Sequence, residues 1–123
     1  MNPELPRLTA EDVRTMLLER REIALLDARE EDPFAQEHPL FAVQIARSRL
    51  ELDAPWRLPR RDVPVVVYDD GEGLAEPAAR WLAAAGWTAV SLLDGGLDGW
   101  RRSGGELFRD VNVPSKSFGE LVE

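Results

Sequence analysis

The sequence predicts an α/β fold: a central, mainly parallel sheet flanked by helices on both faces. Two observations carry this. Ile23–Leu26, Val63–Tyr68 and Ala89–Leu93 read as short apolar strands, and the clearest of them, Val63–Tyr68, is apolar on both faces, as a strand at the centre of a parallel sheet is. Segments with helical spacing alternate with them, and that alternation is the pattern of βα units.

The first element is a helix. Thr9 is its N-cap, Glu11 and Asp12 place acid in the first turn, and Val13, Met16 and Leu17 share one face. Ile23–Leu26 then forms a buried strand that ends at Asp27. Residues 28–42, charged and broken by Pro33 and Pro39, read as loop. Val43–Ile45 reads as a short strand. Ser48 is placed as the cap of a short helix through Ala54, which Pro55 and Pro59 stop.

The clearest strand is Val63–Tyr68, which contains the run Pro-Val-Val-Val-Tyr. It stops at Asp69, Asp70, Gly71, Glu72 and Gly73. A helix follows from Leu74 to Ala85, with Ala75, Ala78, Ala79 and Leu82 as its buried stripe, Pro77 in its first turn and Gly86 at its end. Ala89–Leu93 is the next strand. Gly95-Gly96 turns the chain into a helix over Leu97–Arg102, and Gly104-Gly105 end it. Residues 1–109 are expected to form one domain, and 110–123 a C-terminal tail or a linker to a further domain. In that tail Val111, Val113, Phe118 and Leu121 are candidate anchors, and at least Val111–Pro114 is expected to dock on the domain body.

The 123 residues include 23 acidic and 15 basic side chains, a net charge of −8. Phosphate binding needs a basic face, so nucleic acid is not an expected partner. No window reaches the roughly 18 apolar residues of a membrane span, and no secretory signal is visible at the N-terminus. No membrane partner is expected, and the expected location is the cytoplasm. There is no cysteine, which excludes disulfides, thiolate metal sites and cysteine nucleophiles. Lys116 is the single lysine and His38 the single histidine. No cofactor is expected.

In parallel sheets the functional crevice lies at the carboxyl ends of the strands, where Asp27, Asp69, Asp70 and Asp94 fall. The turn Asp69–Leu74 joins a central strand to a helix N-terminus, so its N–H groups should converge into an anion nest. The turn also supplies Asp69, Asp70 and Glu72, which would repel an incoming anion. One reading is a surface turn whose aspartates cap backbone N–H groups. Another is a Mg²⁺-assisted, carboxylate-dependent hydrolase using Asp69 or Asp70. Neither the adjacent pair of aspartates nor the position of Lys116 matches the spacing of phosphoacceptor sites. His38 reads as solvated or locally hydrogen-bonded. Trp81, Trp87 and Trp100 read as packing residues, and Trp56 as the exposed candidate for a partner contact.

Together these segments resemble a rhodanese (sulfurtransferase) domain over roughly Leu8 to Phe108. The resemblance begins with Leu8-Thr9-Ala10-Glu11 and the strand end Leu25-Leu26-Asp27-Ala28-Arg29, then Phe34 and His38. Val65–Tyr68 leads into a six-residue loop and the helix Ala78-Ala79-Arg80-Trp81-Leu82. The most specific part is Ala85-Gly86-Trp87, Val90, Leu92 and Leu93, followed by Gly95-Gly96 and Trp100. The resemblance implies that Asp27 and Arg29 are structural. It also implies that the loop Asp69, Asp70, Gly71, Glu72, Gly73, Leu74 is the anion-binding position, with Asp69 where the family's persulfide cysteine stands. Leu74 stands where the family often has Arg, and Glu37 where it usually has Gly. The chain resembles the cysteine-less, non-catalytic domains of tandem rhodaneses, so no residue is expected to be catalytic. The implied role is a structural, regulatory or partner-binding unit, with a catalytic rhodanese domain or another protein as partner. Asp69 is expected to accept hydrogen bonds from the N–H groups of residues 71–74, filling the place of a persulfide anion.

Overall fold

A computed structural model describes residues 5–39 and 41–109. The expectations for the tail after Arg109 lie outside the described residues. The sheet has five strands in the order β1-β5-β4-β2-β3, and all four pairings are parallel. They are β1 (Arg7–Leu8), β2 (Ala24–Asp27), β3 (Ala42–Gln44), β4 (Val65–Tyr68) and β5 (Val90–Leu93). The helices are α1 (Ala10–Leu18), α2 (Glu31–Gln36), α3 (Leu50–Arg57), α4 (Ala75–Ala84) and α5 (Gly96–Arg102).

The central strand shows how the two faces are built. Val65 and Val67 of β4 point into one apolar layer, with Ala54 of α3 and Ala78, Ala79 and Leu82 of α4. Val66 and Tyr68 point into the other, with Val13 of α1 and Leu97 and Trp100 of α5. Alternation along one strand thus buries both faces, which is why the run is apolar throughout.

The helix ends follow local chemistry. Thr9 Oγ1 accepts the Asp12 N–H at 3.0 Å and Asp12 Oδ2 accepts the Thr9 N–H at 3.2 Å, a reciprocal capping box. At the end of α4 the Gly86 N–H bonds Ala83 O and the Trp87 N–H bonds Leu82 O, at 3.3 and 3.1 Å. That pair of bonds closes the last turn and sends the chain toward β5.

Four sequence expectations are corrected. The segment 28–42 is not all loop, because it contains α2. Pro33 falls in the first turn of α2, where its missing N–H has no intrahelical partner to lose. Pro55 does not stop α3 but lies inside it, in a helix held by the burial of Leu50 and Ala54. Ser48 is not a helix cap; it lies in a 3₁₀ turn, Arg47–Arg49, and its hydroxyl donates to Glu30 at 3.3 Å. Two residues precede the first helix as β1, paired with Leu92 and Leu93.

His38 is buried, and its Nδ1 lies 2.8 Å from Pro39 O, so it is locally hydrogen-bonded but not solvated. Its ring stacks on Phe34 with centroids 4.2 Å apart. Trp87 and Trp100 are core residues, Trp81 packs beside Trp87, and Trp56 is 85% exposed.

Candidate functional site

The turn after β4 wraps around the side chain of its own first residue. Asp69 Oδ1 accepts the Gly71 N–H at 3.0 Å, and Oδ2 accepts the N–H groups of Leu74 and Ala75 at 2.7 and 2.8 Å. Two of these donors fall within the expected 71–74; the third, Ala75, is the first residue of α4. The carboxylate therefore sits on the N-terminus of a ten-residue helix, where free N–H groups and the helix dipole favour negative charge. Gly71 and Gly73 have φ of +94° and +81°, and these left-handed steps curl the loop so that its N–H groups face inward.

A second glycine pair supports the loop from below. The Asp69 carbonyl accepts the Leu97 N–H at 2.9 Å. A Cβ on Gly96 would stand 2.6 Å from that oxygen, at a backbone φ of +58°. Gly95-Gly96 thus lets the start of α5 press against the turn. Gly96→Ala is expected to lower stability by about 2 kcal/mol through this overlap and the left-handed φ. Urea unfolding followed by circular dichroism measures it, and an unchanged midpoint would contradict this packing.

The other two carboxylates of the turn are also engaged. Glu72 Oε1 accepts the Asp70 N–H at 2.6 Å. The Asp70 carboxylate takes two hydrogen bonds from Arg101 of α5, at 3.0 and 3.2 Å. Arg101 also donates from Nε to Glu37 Oε1 at 2.9 Å, with a second, shorter contact from Nη2. Hydrogen bonds to Asp70 and then Glu37 hold the Arg101 guanidinium above its ordinary pKa. The two carboxylates that a Mg²⁺ site would need are therefore occupied by protein donors. Among the described residues no three His, Asp or Glu side chains converge as a metal-ligand set.

Beneath Glu37 lies a buried ion pair. Arg29 donates to both oxygens of Asp27, from its backbone N at 2.8 Å, from Nε at 3.0 and 3.1 Å, and from Nη2 at 2.8 Å. Nη2 also donates to Glu37 O at 2.7 Å, and Gln44 donates to Arg29 O at 2.8 Å. Burial alone would lower the Arg29 pKa; the hydrogen bonds and charge of Asp27 outweigh it and leave it raised. Burial first, and the Asp27 charge second, push the Tyr68 hydroxyl far above its usual range. Asp27 and Arg29 thus join β2, β3 and the segment after α2, and Glu37 with Arg101 extends this network to Asp70.

Sequence reading placed Asp69–Leu74 at the site and missed Arg101. The available signal was the acidic side chain of Glu37 and the acidic turn, carboxylates with which a basic side chain pairs favourably. Beside the turn opens a cleft of about 350 Å³, lined by Asp69, Gly71, Gly73, Leu93, Gly96 and others. Among the described residues that line it, Arg7 supplies the positive charge.

Comparison with known proteins agrees with this architecture. The chain is 64% identical to the crystal structure of a thiosulfate sulfurtransferase from Pseudomonas aeruginosa, with a TM-score of 0.84, over 91% of this chain and 21% of that one. SseB of Mycobacterium tuberculosis is 53% identical over 49 residues, 39% of this chain and 17% of that protein. The chain therefore spans about a fifth or less of the length of these relatives. The Alr3790 protein from Anabaena sp. shares the fold, with a TM-score of 0.76 at 23% identity, over 86% of this chain and 84% of that one. The family model described as rhodanese-like domain matches residues 9–103, and the chain belongs to that family.

Proposed function

We propose that this chain is a non-catalytic rhodanese-like domain, a structural and partner-binding unit of a larger sulfurtransferase. One observation carries the reading. The side chain at the position of the family's sulfur-carrying cysteine is the carboxylate of Asp69, and it takes up the N–H groups of Gly71, Leu74 and Ala75. A carboxylate is an oxygen nucleophile that forms no persulfide, and the chain has no thiol to replace it. The nest that would hold a transferred sulfur is filled from within. The short span of the chain relative to its similar proteins supports a role beside other domains, with a cysteine-bearing rhodanese domain as the partner.

The purified chain is expected to produce no thiocyanate from thiosulfate and cyanide, even at high protein concentration. Thiocyanate that scales with protein and survives repurification would overturn the reading. For the partner role, this chain would replace the matching fifth of the Pseudomonas enzyme. The chimera is expected to retain the parent's activity, and deletion of the segment to lose it. A chimera as inactive as the deletion would count against the role.

A further inference from the structure

We propose that the apolar groove between α1, α5 and the turn before β3 binds a small aromatic monocarboxylate, its ring among the apolar side chains and its carboxylate on Arg14. This inference stands independently of the function proposed above. The groove is lined by Leu17 and Leu18 of α1, Phe41, Trp100 of α5 and Phe108. Its volume is about 140 Å³. That is close to the ~150 Å³ of an apolar space that accepts a benzene ring. Trp100 is buried and its Nε1 already donates to Glu106 O at 2.8 Å, so its indole offers the groove carbon rather than a polar atom. Phe108 is pinned to His38 by an antiparallel bridge, with N–O distances of 2.9 and 2.7 Å, so that wall is held in place. Leu18 is 80% exposed and Phe41 64%. A single exposed apolar side chain is ordinary, but several around one concave space mark a binding surface.

The charge in the groove selects the ligand. Arg14 of α1 is half-buried there. Leu17 and Leu18 follow it by one helical turn, so the cation and the apolar surface are neighbours by helical spacing. Elsewhere in the chain arginines pair with a carboxylate four residues away: Arg49 with Asp53, Arg80 with Glu76, Arg102 with Asp98. At that spacing Arg14 has Ala10 and Leu18 instead, and no carboxylate of the described residues pairs with it. One of its N–H groups, on Nη1, donates to Ser103 O at 3.3 Å, and the rest of the fork is left for a ligand. A guanidinium fork beside an apolar space suits a carboxylate, which it can bind through two parallel hydrogen bonds. Glu106 also lines the groove, but it is exposed, so water screens its charge more than that of Arg14. That difference favours an anion over a cation. The volume limits the ligand to one ring, and the single cation matches one carboxylate.

Titration of the full chain with 3-phenylpropionate, followed by heteronuclear NMR, tests this. Saturable shifts are expected at millimolar ligand for the Trp100 Nε1–H and the amides of residues 14–18 and 106–108. The uncharged 3-phenylpropanamide, with the same ring, is expected to bind roughly tenfold more weakly or worse, the contribution of one charge-assisted pair. Propionate, which lacks the ring, is expected to give no saturable shift, and 2-phenylethylamine, of opposite charge, to bind more weakly than 3-phenylpropionate. Arg14→Gln is expected to weaken 3-phenylpropionate by the same factor as loss of the ligand's charge, with the β4 amide shifts unchanged. Because Arg14 also holds α1 to the end of α5, Phe41→Ala gives a second variant, at an exposed position, that is expected to weaken binding too. Leu52→Ala, 65% exposed on α3, is expected to leave it unchanged. The absence of saturable shifts, equal binding of the amide, tighter binding of the amine, or undiminished binding by Arg14→Gln or Phe41→Ala would each overturn the proposal.

Discussion

Arg29→Ala is expected to destabilise the fold by about 3–5 kcal/mol, the cost of leaving a buried carboxylate without its cation. The Asp27 side chain is fully buried and that of Arg29 is 4% exposed, so water does not reach the pair to take over. The loss reaches beyond the pair, because Arg29 also satisfies Glu37 O and thereby fixes the residue that holds Arg101. Arg29→Lys should recover only part of the stability. An ammonium cannot reproduce the planar fork that binds both Asp27 oxygens and the Glu37 carbonyl together. Asp27→Leu combined with Arg29→Met should cost less than Arg29→Ala alone, since it leaves no charge behind. Urea denaturation of the four proteins decides it. A loss below about 1 kcal/mol for Arg29→Ala would show that water or a neighbouring cation satisfies Asp27.

The pair also shows what was legible in the sequence. Asp27 and Arg29 are two residues apart at the end of an apolar strand, a short motif in which the family resemblance could be seen and from which their structural role was implied. The loop was legible for the same reason: Asp69, its glycines and the donors it binds lie within seven consecutive residues. β4 was plain because burial on both faces leaves no polar position in the run. Other features depend on distant partners. β1 is two residues long and exists through pairing with β5, some eighty positions later, which no local pattern reveals. Pro33 looked like a breaker because a proline's effect depends on its place in the helix, and in α2 it falls in the first turn, where no intrahelical bond is lost. Arg101 is one of 14 arginines, and it meets Asp70 and Glu37 across 31 and 64 positions of sequence.

Asp69→Cys is expected to leave thiosulfate:cyanide sulfur transfer weak, and Glu72→Gln in that background to raise it. A thiol at position 69 would inherit the N–H groups now bound to the carboxylate, which lower a thiol's pKa and favour the thiolate. Making the nucleophile is therefore not the obstacle. The donor is anionic, and around the turn Glu37, Asp70 and Glu72 oppose the single charge of Arg101, a local balance of −2 once Asp69 is gone. Leu74, at the loop's sixth position, offers no cation, which leaves Arg7 in the cleft as the attraction available. Fields of this kind alter association roughly tenfold to a thousandfold. Glu72→Gln keeps the oxygen that accepts the Asp70 N–H and removes one negative charge, so it tests the field without changing the turn. The expected gain in kcat/KM is about tenfold at low ionic strength, shrinking as salt screens it. Turnover by Asp69→Cys alone at the level of an active sulfurtransferase would show that the field is unimportant. A gain from Glu72→Gln that persists in high salt would locate the barrier in the shape of the loop rather than in its charge.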